Sequence, residues 1–292
     1  LRAMQFAARF DMQLAPETAA RCRLLLPMAP SIAPERMWGE WAKWAQAAHP
    51  RSGLIALAES GWLAHFPELA ALRGCLQSPT HHPEGDVWTH TGHVVQAAAR
   101  IAGQQRLAAE AWRTLLFAAL CHDLGKPATT TIEGDNRIRS AGHAQAGIAP
   151  TKALLTRIGA PQGLIEQVLP LVREHMAHYG QPTARTLRRL AARLVPSTIA
   201  TWALLVEADH SGRPPHPPRA PARDFVTHAR ALDLLDGPPK PILSGRDLLA
   251  AGYQQGPTLG LVLRDAYQAQ LDGAFATAEE GMDWLRRTTT RR

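Results

Sequence analysis

Apolar residues recur at three- and four-residue spacings along most of this 292-residue chain, and this pattern constrains the fold more than any other feature. The stretches PETAARCRLLLPM, SIAPERMWGEWAKWAQAA and SGLIALAESGWLAHFPELAAL all show it, interrupted by Pro and Gly. This periodicity is typical of amphipathic helices. The alternation typical of strands is confined to TTTIEGDNRI, where we expect one short hairpin. The sequence therefore predicts an all-α fold.

Clusters of Pro and Gly divide the chain into three predicted parts. Residues 1–75 form a helical module, and residues 76–213 form a second helical domain that holds most of the histidines. The Pro-rich stretch GRPPHPPRAPAR interrupts regular structure and is expected to act as a linker. Residues 214–292 then comprise this linker and a short C-terminal module of three or four helices, with a frayed RRTTTRR end.

The composition indicates the compartment and the kind of partner to expect for this protein. Charged residues make up 20% of the chain and hydrophobic residues 46%, as in folded soluble proteins. No stretch approaches the roughly 18 apolar residues that a membrane helix needs, so no membrane partner is expected. Cys22, Cys75 and Cys121 are odd in number and widely spaced, which indicates reduced thiols in a cytoplasmic protein. The net charge of +7 suits a polyanionic partner. No feature of the sequence indicates the oligomeric state.

The stretch LLFAALCHDLGKP is an apolar run that ends in two adjacent metal-competent side chains, His122 and Asp123. Neighbouring residues on a helix project about 100° apart, so both side chains can reach one ion beside the helix end. Imidazole and carboxylate together suit Mn, Fe, Co, Ni, Zn or Mg. Lys126 follows one turn later and can neutralise phosphate charge.

Four further residues complete a candidate metal site. His90 lies in DVWTHTGHVVQAAARIA, His143 in SAGHAQAGIAP, His175 in LVREHMAHYG and Asp209 in ALLVEADHSGR. Several of them stand near a helix end beside Gly or within an apolar helix, where a low dielectric and a rigid backbone favour ligand binding. A carboxylate can bridge two ions about 3.5 to 4 Å apart, and such ions activate water and bind phosphoryl oxygens.

The order H…HD…H…H…D, together with HDLGKP and the downstream EAD, resembles the HD superfamily of metal-dependent phosphohydrolases. The resemblance implies a single-ion ligand set of His90, His122, Asp123 and Asp209. His143 and His175 correspond to the extra ligands of two-metal members, although they can instead contact phosphate. We therefore expect one or two divalent ions, and catalysis that involves His122, Asp123 and Lys126.

Six further histidines are assigned to places outside the ligand set. His93 and His178 lie one turn after predicted ligands; they are expected to face solvent, with a role in orienting those ligands as the alternative. Four more are expected in loops or on the surface, namely His81, His82, His216 and His228. The alternative for His82 is a position at the rim of the site.

Much of the chain carries a second, more particular resemblance. The stretches LRAMQFAARFDMQLAPETA, SIAPERMWGEWAKW, HHPEGDVWTHT and LSGRDLLAAGYQQGPTLGLVLRDAYQAQLDG resemble the neck and body of bacterial tRNA nucleotidyltransferases, the CCA-adding enzymes and their poly(A) polymerase relatives. No Gly-Ser followed by Asp-x-Asp occurs, so the nucleotide-transferring head of that family is absent from this sequence. The resemblance implies a structural role for Glu35, Arg36 and Glu40. It also implies hydrolysis of 2′,3′-cyclic phosphates or other phosphoesters, at RNA 3′ ends or on small nucleotides.

Two helical patterns bear on RNA contacts. ARTLRRLAARL places four arginines along one side of a helix, either as an RNA-binding stripe or as a solvated face: Arg185, Arg188, Arg189 and Arg193. Trp38, Trp41 and Trp44 recur every three residues, and core packing is favoured over base stacking. The arginines of the linker, among them Arg213, are interpreted as general surface charge.

Three functions remain open at this point. The first is an HD-type metal phosphohydrolase in a tRNA nucleotidyltransferase context. The second is a non-catalytic RNA-binding scaffold that keeps the metal site as a structural relic. The third is the C-terminal part of a complete CCA-adding enzyme whose catalytic head lies upstream.

Overall fold

The computed structural model describes residues 1–134 and 137–289. Helices dominate it, and the all-α prediction is confirmed. In chain order the α-helices are α1 (Arg2–Phe10), α2 (Pro16–Leu24), α3 (Pro34–Trp44), α4 (Pro50–Glu59), α5 (Pro67–Ala70), α6 (Val87–Gln104), α7 (Ala109–Cys121), α8 (Lys126–Thr129), α9 (His143–Ala146), α10 (Ile148–Arg157), α11 (Gln162–Glu174), α12 (Ala184–Leu194), α13 (Ile199–Ser211), α14 (Arg223–Ala231), α15 (Gly245–Ala250), α16 (Pro257–Asp272) and α17 (Ala278–Thr289).

Short 3₁₀ helices and one hairpin complete the secondary structure of the described residues. The 3₁₀ helices are Leu26–Ser31, Trp62–His65 and His175–Tyr179. Strands β1 (Thr130–Ile132) and β2 (Ile138–Ser140) pair antiparallel, so the predicted hairpin is present. The predicted frayed end reaches residues 290–292, which lie outside the described part of the chain.

Side-chain caps fix the starts of the helices that carry the histidine-rich region. Asp86 accepts a hydrogen bond from the backbone N–H of Thr89 and so caps α6. Thr183 and Thr198 cap α12 and α13 in the same way. Helix α3 begins at Pro34, whose fixed φ suits the first position of a helix, and Glu35 lies in its first turn.

The main hydrophobic cluster extends from Met4 in α1 to Leu234 after α14 and is continuous across the predicted boundary at residue 75. Trp41 and Trp44 are fully buried in it, and the Trp38 ring stacks on Phe117 at 5.4 Å. The prediction that the tryptophans pack in the core is therefore confirmed. This shared core connects the N-terminal helices to α6 and α7, which position the histidine-rich region.

A second, smaller cluster is formed by the C-terminal helices, with Leu243, Leu248, Ala266, Phe275 and Leu285 at its centre. The division between the two clusters falls after residue 234, whereas the linker was predicted at GRPPHPPRAPAR. The difference arises because α14 contributes buried apolar side chains to the main cluster.

The arginine stripe of α12 connects these two parts of the molecule. The Asp272 carboxylate at the end of α16 accepts hydrogen bonds from Arg185 Nε at 2.8 Å and Arg189 Nη2 at 2.6 Å. Arg188 Nε donates to the Leu271 carbonyl oxygen at 2.9 Å. Arg193 instead pairs with Glu174 at 3.0 Å. All four guanidinium groups thus have intramolecular partners, and their contact with RNA stays a prediction.

We expect the hydrogen bonds between Asp272 and the arginines of α12 to hold the C-terminal helices against α12. Asp272→Asn weakens the charge-assisted hydrogen bonds to α12, so residues 243–285 should exchange amide hydrogens faster while α6 and α7 stay protected. Hydrogen exchange measured by mass spectrometry checks this. Asp283→Asn is the matched control, because Asp283 pairs with Arg286 inside α17. Equal exchange in both variants would contradict the docking role.

Among the described helices, none is long and apolar enough by itself to cross a membrane. Only α12 and α13 taken together, with a 93° bend between them, reach the required length and composition.

Candidate metal centre

Helices α6, α7 and α13 pack against one another and bring the predicted ligands to one place. His90 lies on the buried side of α6, and His122 and Asp123 directly follow the last turn of α7. Asp209 lies in the last turn of α13. Because apolar residues surround these positions, all four side chains are almost completely buried.

The first group of ligand atoms comes from His90, His122 and Asp209. Nε2 of His90 lies 3.1 Å from Oδ1 of Asp209 and 3.3 Å from Nε2 of His122. One ligand atom from each of the three residues lies within 4.8 Å of the others. This spacing suits a single divalent ion bound between two imidazoles and a carboxylate.

The second group comes from Asp123, His143 and His175. Nε2 of His143 lies 3.1 Å from Nε2 of His175 and 3.4 Å from Oδ1 of Asp123. Their ligand atoms also lie within 4.8 Å of one another. His143 begins α9 and His175 directly follows α11, so helix ends again supply the ligands.

Asp123 stands between the two groups. Its Oδ2 lies 3.2 Å from Nε2 of His122, and its Oδ1 faces His143. A carboxylate in this position can bridge two ions. The structure therefore brings all six predicted ligands together in an arrangement with room for two ions, although their role in binding metal stays a prediction.

The hydrogen-bond pattern tests whether these residues fit a cation. Nδ1 of His122, His143 and His175 each faces a backbone carbonyl oxygen at 2.7 to 2.8 Å. A carbonyl oxygen can only accept, so each ring carries a proton on Nδ1, and its neutral form directs a lone pair from Nε2 into the cluster. Oδ2 of Asp123 is buried, and Lys126 Nζ lies 2.7 Å from it without a hydrogen bond of regular geometry. Converging lone pairs repel one another without a cation, so this donor set fits divalent metal.

The electrostatics keep the acids charged and favour the neutral forms of His143 and His175. Burial alone would raise the pKa of the Asp123 carboxyl, but His122 and Lys126 hold it well below its usual range. Burial acts likewise on Asp209, whose pKa is held well below its usual range by His90 and Arg213. Burial lowers the pKa of His175 to about 3. Charged carboxylates and neutral imidazoles are the forms that bind metal.

A cavity of about 420 Å³ opens over the cluster. Asp123, His143, His175 and Asp209 line its floor, and the β1–β2 hairpin contributes Ser140 to its wall. The cavity thus leads from solvent to both predicted groups of ligands, as access by a substrate requires.

Two cationic side chains line the same cavity. Lys126 Nζ lies 2.7 Å from Oδ2 of Asp123 and donates to Oε1 of Gln77 at 2.6 Å. Arg213 Nη2 lies 2.6 Å from Oδ1 of Asp209. Arg213 is therefore part of the centre, and its interpretation as general surface charge is wrong. The sequence signal was its position four residues after Asp209, one helical turn further.

Glu84 is a residue that the sequence analysis missed. Its side chain is fully buried, and Oε1 lies 2.7 Å from Nδ1 of His90 and 2.9 Å from Nδ1 of His82. Burial would raise the pKa of Glu84, but the contacts with His82 and His90 lower it to about 2. Its position six residues before His90 in HHPEGDVWTH was the available signal.

Two histidines differ from their predicted exposure. His178 is buried: its Nδ1 bonds to the His175 carbonyl oxygen at 3.0 Å, and its Nε2 lies 3.0 Å from Nε2 of His210. The expectation of solvent exposure fails because the 3₁₀ helix turns His178 inward. His82 lines the cavity rim and contacts Glu84, so the alternative assignment for this residue is confirmed.

Glu84 should control the affinity of the first group for metal. A carboxylate that accepts the second ring N–H of a ligating histidine fixes the ring and raises its basicity, and its loss typically costs about 10- to 100-fold in affinity. Glu84→Gln keeps the shape and removes the charge, so we expect a decrease of about that size in a metal titration. The control is Glu110→Gln in the first turn of α7. An unchanged affinity in Glu84→Gln would rule out this role.

Comparisons with known proteins show which families this chain resembles. Residues 87–236 match the HD domain family, and residues 11–72 match the family described as "Probable RNA and SrmB- binding site of polymerase A". The multifunctional CCA protein of Xanthomonas campestris is 36% identical over 282 residues, which cover 91% of this chain and 64% of the relative. That of Xanthomonas oryzae is 34% identical and covers 95% of this chain and 67% of the relative.

A solved structure shows the same fold. A CCA-adding enzyme in complex with CTP aligns with a TM-score of 0.51 and 12% identity, over 99% of this chain and 59% of that chain. Residues 87–236 thus form an HD domain, and a helical region that matches the polymerase A family precedes it. The chain belongs to the bacterial tRNA nucleotidyltransferase family that includes the multifunctional CCA proteins. It spans 64% of the length of the first relative.

Proposed function

We propose that this chain is a metal-dependent phosphohydrolase that acts on phosphoesters, with 2′,3′-cyclic phosphates and RNA 3′ ends as its substrates. The convergence of six imidazole and carboxylate side chains beneath one open cavity carries this proposal. The match to the HD domain family and the resemblance to multifunctional CCA proteins support it further.

The residues around the cavity suggest how the reaction would proceed. His90, His122 and Asp209 would hold one divalent ion, and His143 and His175 a second, with Asp123 between them. Bound ions of this kind polarise phosphoryl oxygens and lower the pKa of water. Lys126 and Arg213 would offset the charge that develops on the phosphoryl oxygens. Water would attack phosphorus, and the bond to the 2′ or 3′ oxygen would break to leave a phosphomonoester.

The positions of the helices assign further roles in this proposal. Gln77 would hold the Lys126 ammonium group at the cavity, since the two lie 2.6 Å apart. Glu84 would orient His90 through Nδ1. Burial of the carboxylates in an apolar shell would strengthen their interaction with the ions, because the low dielectric screens charges weakly.

We propose tRNA as the macromolecular partner. The match of residues 11–72 to an RNA-binding family and the net charge of +7 support this proposal. The Arg185 side chain remains 64% exposed and that of Arg193 45% exposed, so their outer faces can reach phosphates although both pair with acids. The free thiols of all three cysteines fit the proposed cytoplasmic location.

The two alternatives from the sequence make different predictions. A scaffold that only binds RNA would hold tRNA with a steep salt dependence and would hydrolyse nothing. If the chain is instead the C-terminal part of a CCA-adding enzyme, its main activity would require the nucleotidyltransferase head of that family. The metal centre of the HD domain would then have a secondary role.

Hydrolysis by the purified chain decides between these proposals. The protein is stripped with a chelator, and 2′,3′-cyclic AMP and bis-(p-nitrophenyl) phosphate are then offered with and without Mn²⁺, Ni²⁺, Co²⁺ or Mg²⁺. We expect the protein to release a phosphomonoester from 2′,3′-cyclic AMP only when a divalent ion is restored. Binding of tRNA without turnover under any metal would favour the scaffold and contradict the hydrolase.

A further inference from the structure

The 3₁₀ helix His175–Tyr179 forms part of the wall of the cavity over the metal cluster. Side chains three residues apart in a 3₁₀ helix lie on the same side of it. His175 and His178 share one side and are buried. Met176 and Tyr179 share another side, where both line the cavity; Met176 is 37% exposed and Tyr179 is 66% exposed. The helix that supplies a candidate metal ligand therefore also presents an apolar pair to the cavity.

The Tyr179 ring is supported on one face. Its centroid lies 4.1 Å from that of the His178 ring, with 39° between the two ring planes. His178 is itself held in place, since its Nδ1 donates to the His175 carbonyl oxygen at 3.0 Å and its Nε2 lies 3.0 Å from Nε2 of His210. Because His178 covers one face of Tyr179, the opposite face belongs to the exposed surface. The cavity thus has an open aromatic face with a buried support.

Tyr179 lies at a distance from the candidate ligands that a nucleoside can span. A 3₁₀ helix rises about 2 Å per residue, so Tyr179 lies about 8 Å along the helix axis from His175. A ribose that carries a base reaches over a distance of this order. Within the described part of the chain, Tyr179 is the one Phe, Tyr or Trp that lines this cavity. A phosphoryl group at the metal centre would leave its attached base near the Tyr179 ring.

We propose that Tyr179 determines the specificity of this site for nucleoside phosphates, because its open face stacks on the nucleobase of the phosphoester. This inference rests on the proposed function, since it requires the phosphoryl group to bind at the metal centre. Every base has a flat π-face, so an aromatic side chain stacks on all of them. The flexible thioether of Met176 adapts to bases of different shape. The site therefore selects substrates that carry a base and discriminates little among the bases.

Hydrolysis of two substrates by a Tyr179→Ala variant tests the proposal. Glycerol 1,2-cyclic phosphate has the same five-membered cyclic phosphate as 2′,3′-cyclic AMP but no base. We expect Tyr179→Ala to raise the KM for 2′,3′-cyclic AMP about tenfold or more and to leave kcat/KM for the glycerol compound unchanged. Tyr179→Phe keeps the stacking face and should retain the parental KM. Phe10→Ala is the matched control, because it removes an exposed aromatic ring of α1 that does not line the cavity.

Binding of the product 3′-AMP separates this inference from the proposed function, because binding needs no catalysis. In calorimetric titrations of the Mn²⁺-loaded chain, Tyr179→Ala should bind 3′-AMP about tenfold or more weakly and inorganic phosphate as the parent does. This loss in a chain that hydrolyses nothing would support the base site and contradict the hydrolase.

Circular dichroism verifies that each variant is folded. Parental KM and 3′-AMP affinity in folded Tyr179→Ala would overturn the inference and leave the hydrolase standing. An equal loss for the compounds without a base would also overturn it, as would the absence of 3′-AMP binding to the parent at millimolar concentration.

Discussion

The double variant His122→Ala with Asp123→Ala should hydrolyse 2′,3′-cyclic AMP at least about a thousandfold more slowly than the parent. Metal-ion catalysis supplies several kcal/mol of transition-state stabilisation, and each loss of about 1.4 kcal/mol slows the reaction about tenfold. Asp123 stands between both groups of ligands and His122 belongs to the first. Their joint removal therefore disables both predicted ion sites.

Two controls separate chemistry from folding in this experiment. His216→Ala with His228→Ala removes two exposed histidines outside the centre and should leave the rate unchanged. Asp123→Asn keeps the shape of the side chain while removing its charge, so it should stay folded by circular dichroism and still lose hydrolysis. If the folded Asp123→Asn variant hydrolyses the substrate as fast as the parent, the enzymatic proposal is wrong.

Gly125→Ala is expected to disrupt the second group of ligands without touching any of them. Gly125 lies in the turn between α7 and α8, and a Cβ there would be 2.0 Å from the carbonyl oxygen of His143 and 2.5 Å from the backbone nitrogen of Gly147. Both contacts are backbone, so no side chain can move aside. The methyl group must push α9 away, and His143 moves with it.

The expected effect of this overpacking is a loss of about 1 to 3 kcal/mol in the free energy of unfolding of the metal-free protein. Metal analysis should show one ion fewer than in the parent. Gly163→Ala in α11 is the matched control, since nothing lies within 4 Å of its added Cβ, and it should be neutral or slightly stabilising. Urea unfolding and elemental analysis measure both quantities. A Gly125→Ala variant with parental stability and metal content would contradict the close approach of α9.

The helical fold is predictable because it rests on local, periodic signals, and the six candidate ligands are predictable from the order of His and Asp along the chain. Apolar spacing defines α6, α7 and α13, and the order of histidines and aspartates along them is retained in the structure. Trp41 and Trp44 follow the same logic, since large aromatic side chains at helical spacing face a core. The resemblance to the HD superfamily divides the ligands into a single-ion set and two extra ligands, a division that spacing alone leaves open.

Other features depend on tertiary contacts, which leave no periodic signal in the sequence. Glu84 sits in an irregular segment, and only the tertiary fold places it against His90. The arginines of α12 look like a solvated or RNA-binding stripe until α16 brings Asp272 alongside them. The helix α14 follows a Pro-rich stretch that reads as a linker, yet it packs into the main core.

The central claim is that six buried imidazoles and carboxylates hold two divalent ions. A crystal structure of the chain grown with Mn²⁺, with anomalous scattering recorded, tests it most directly. The account predicts two anomalous peaks about 3.5 to 4 Å apart on either side of Asp123, the first among His90, His122 and Asp209 and the second beside His143 and His175. An anomalous map with no peak at these side chains, or with Mn²⁺ bound only elsewhere, would contradict it.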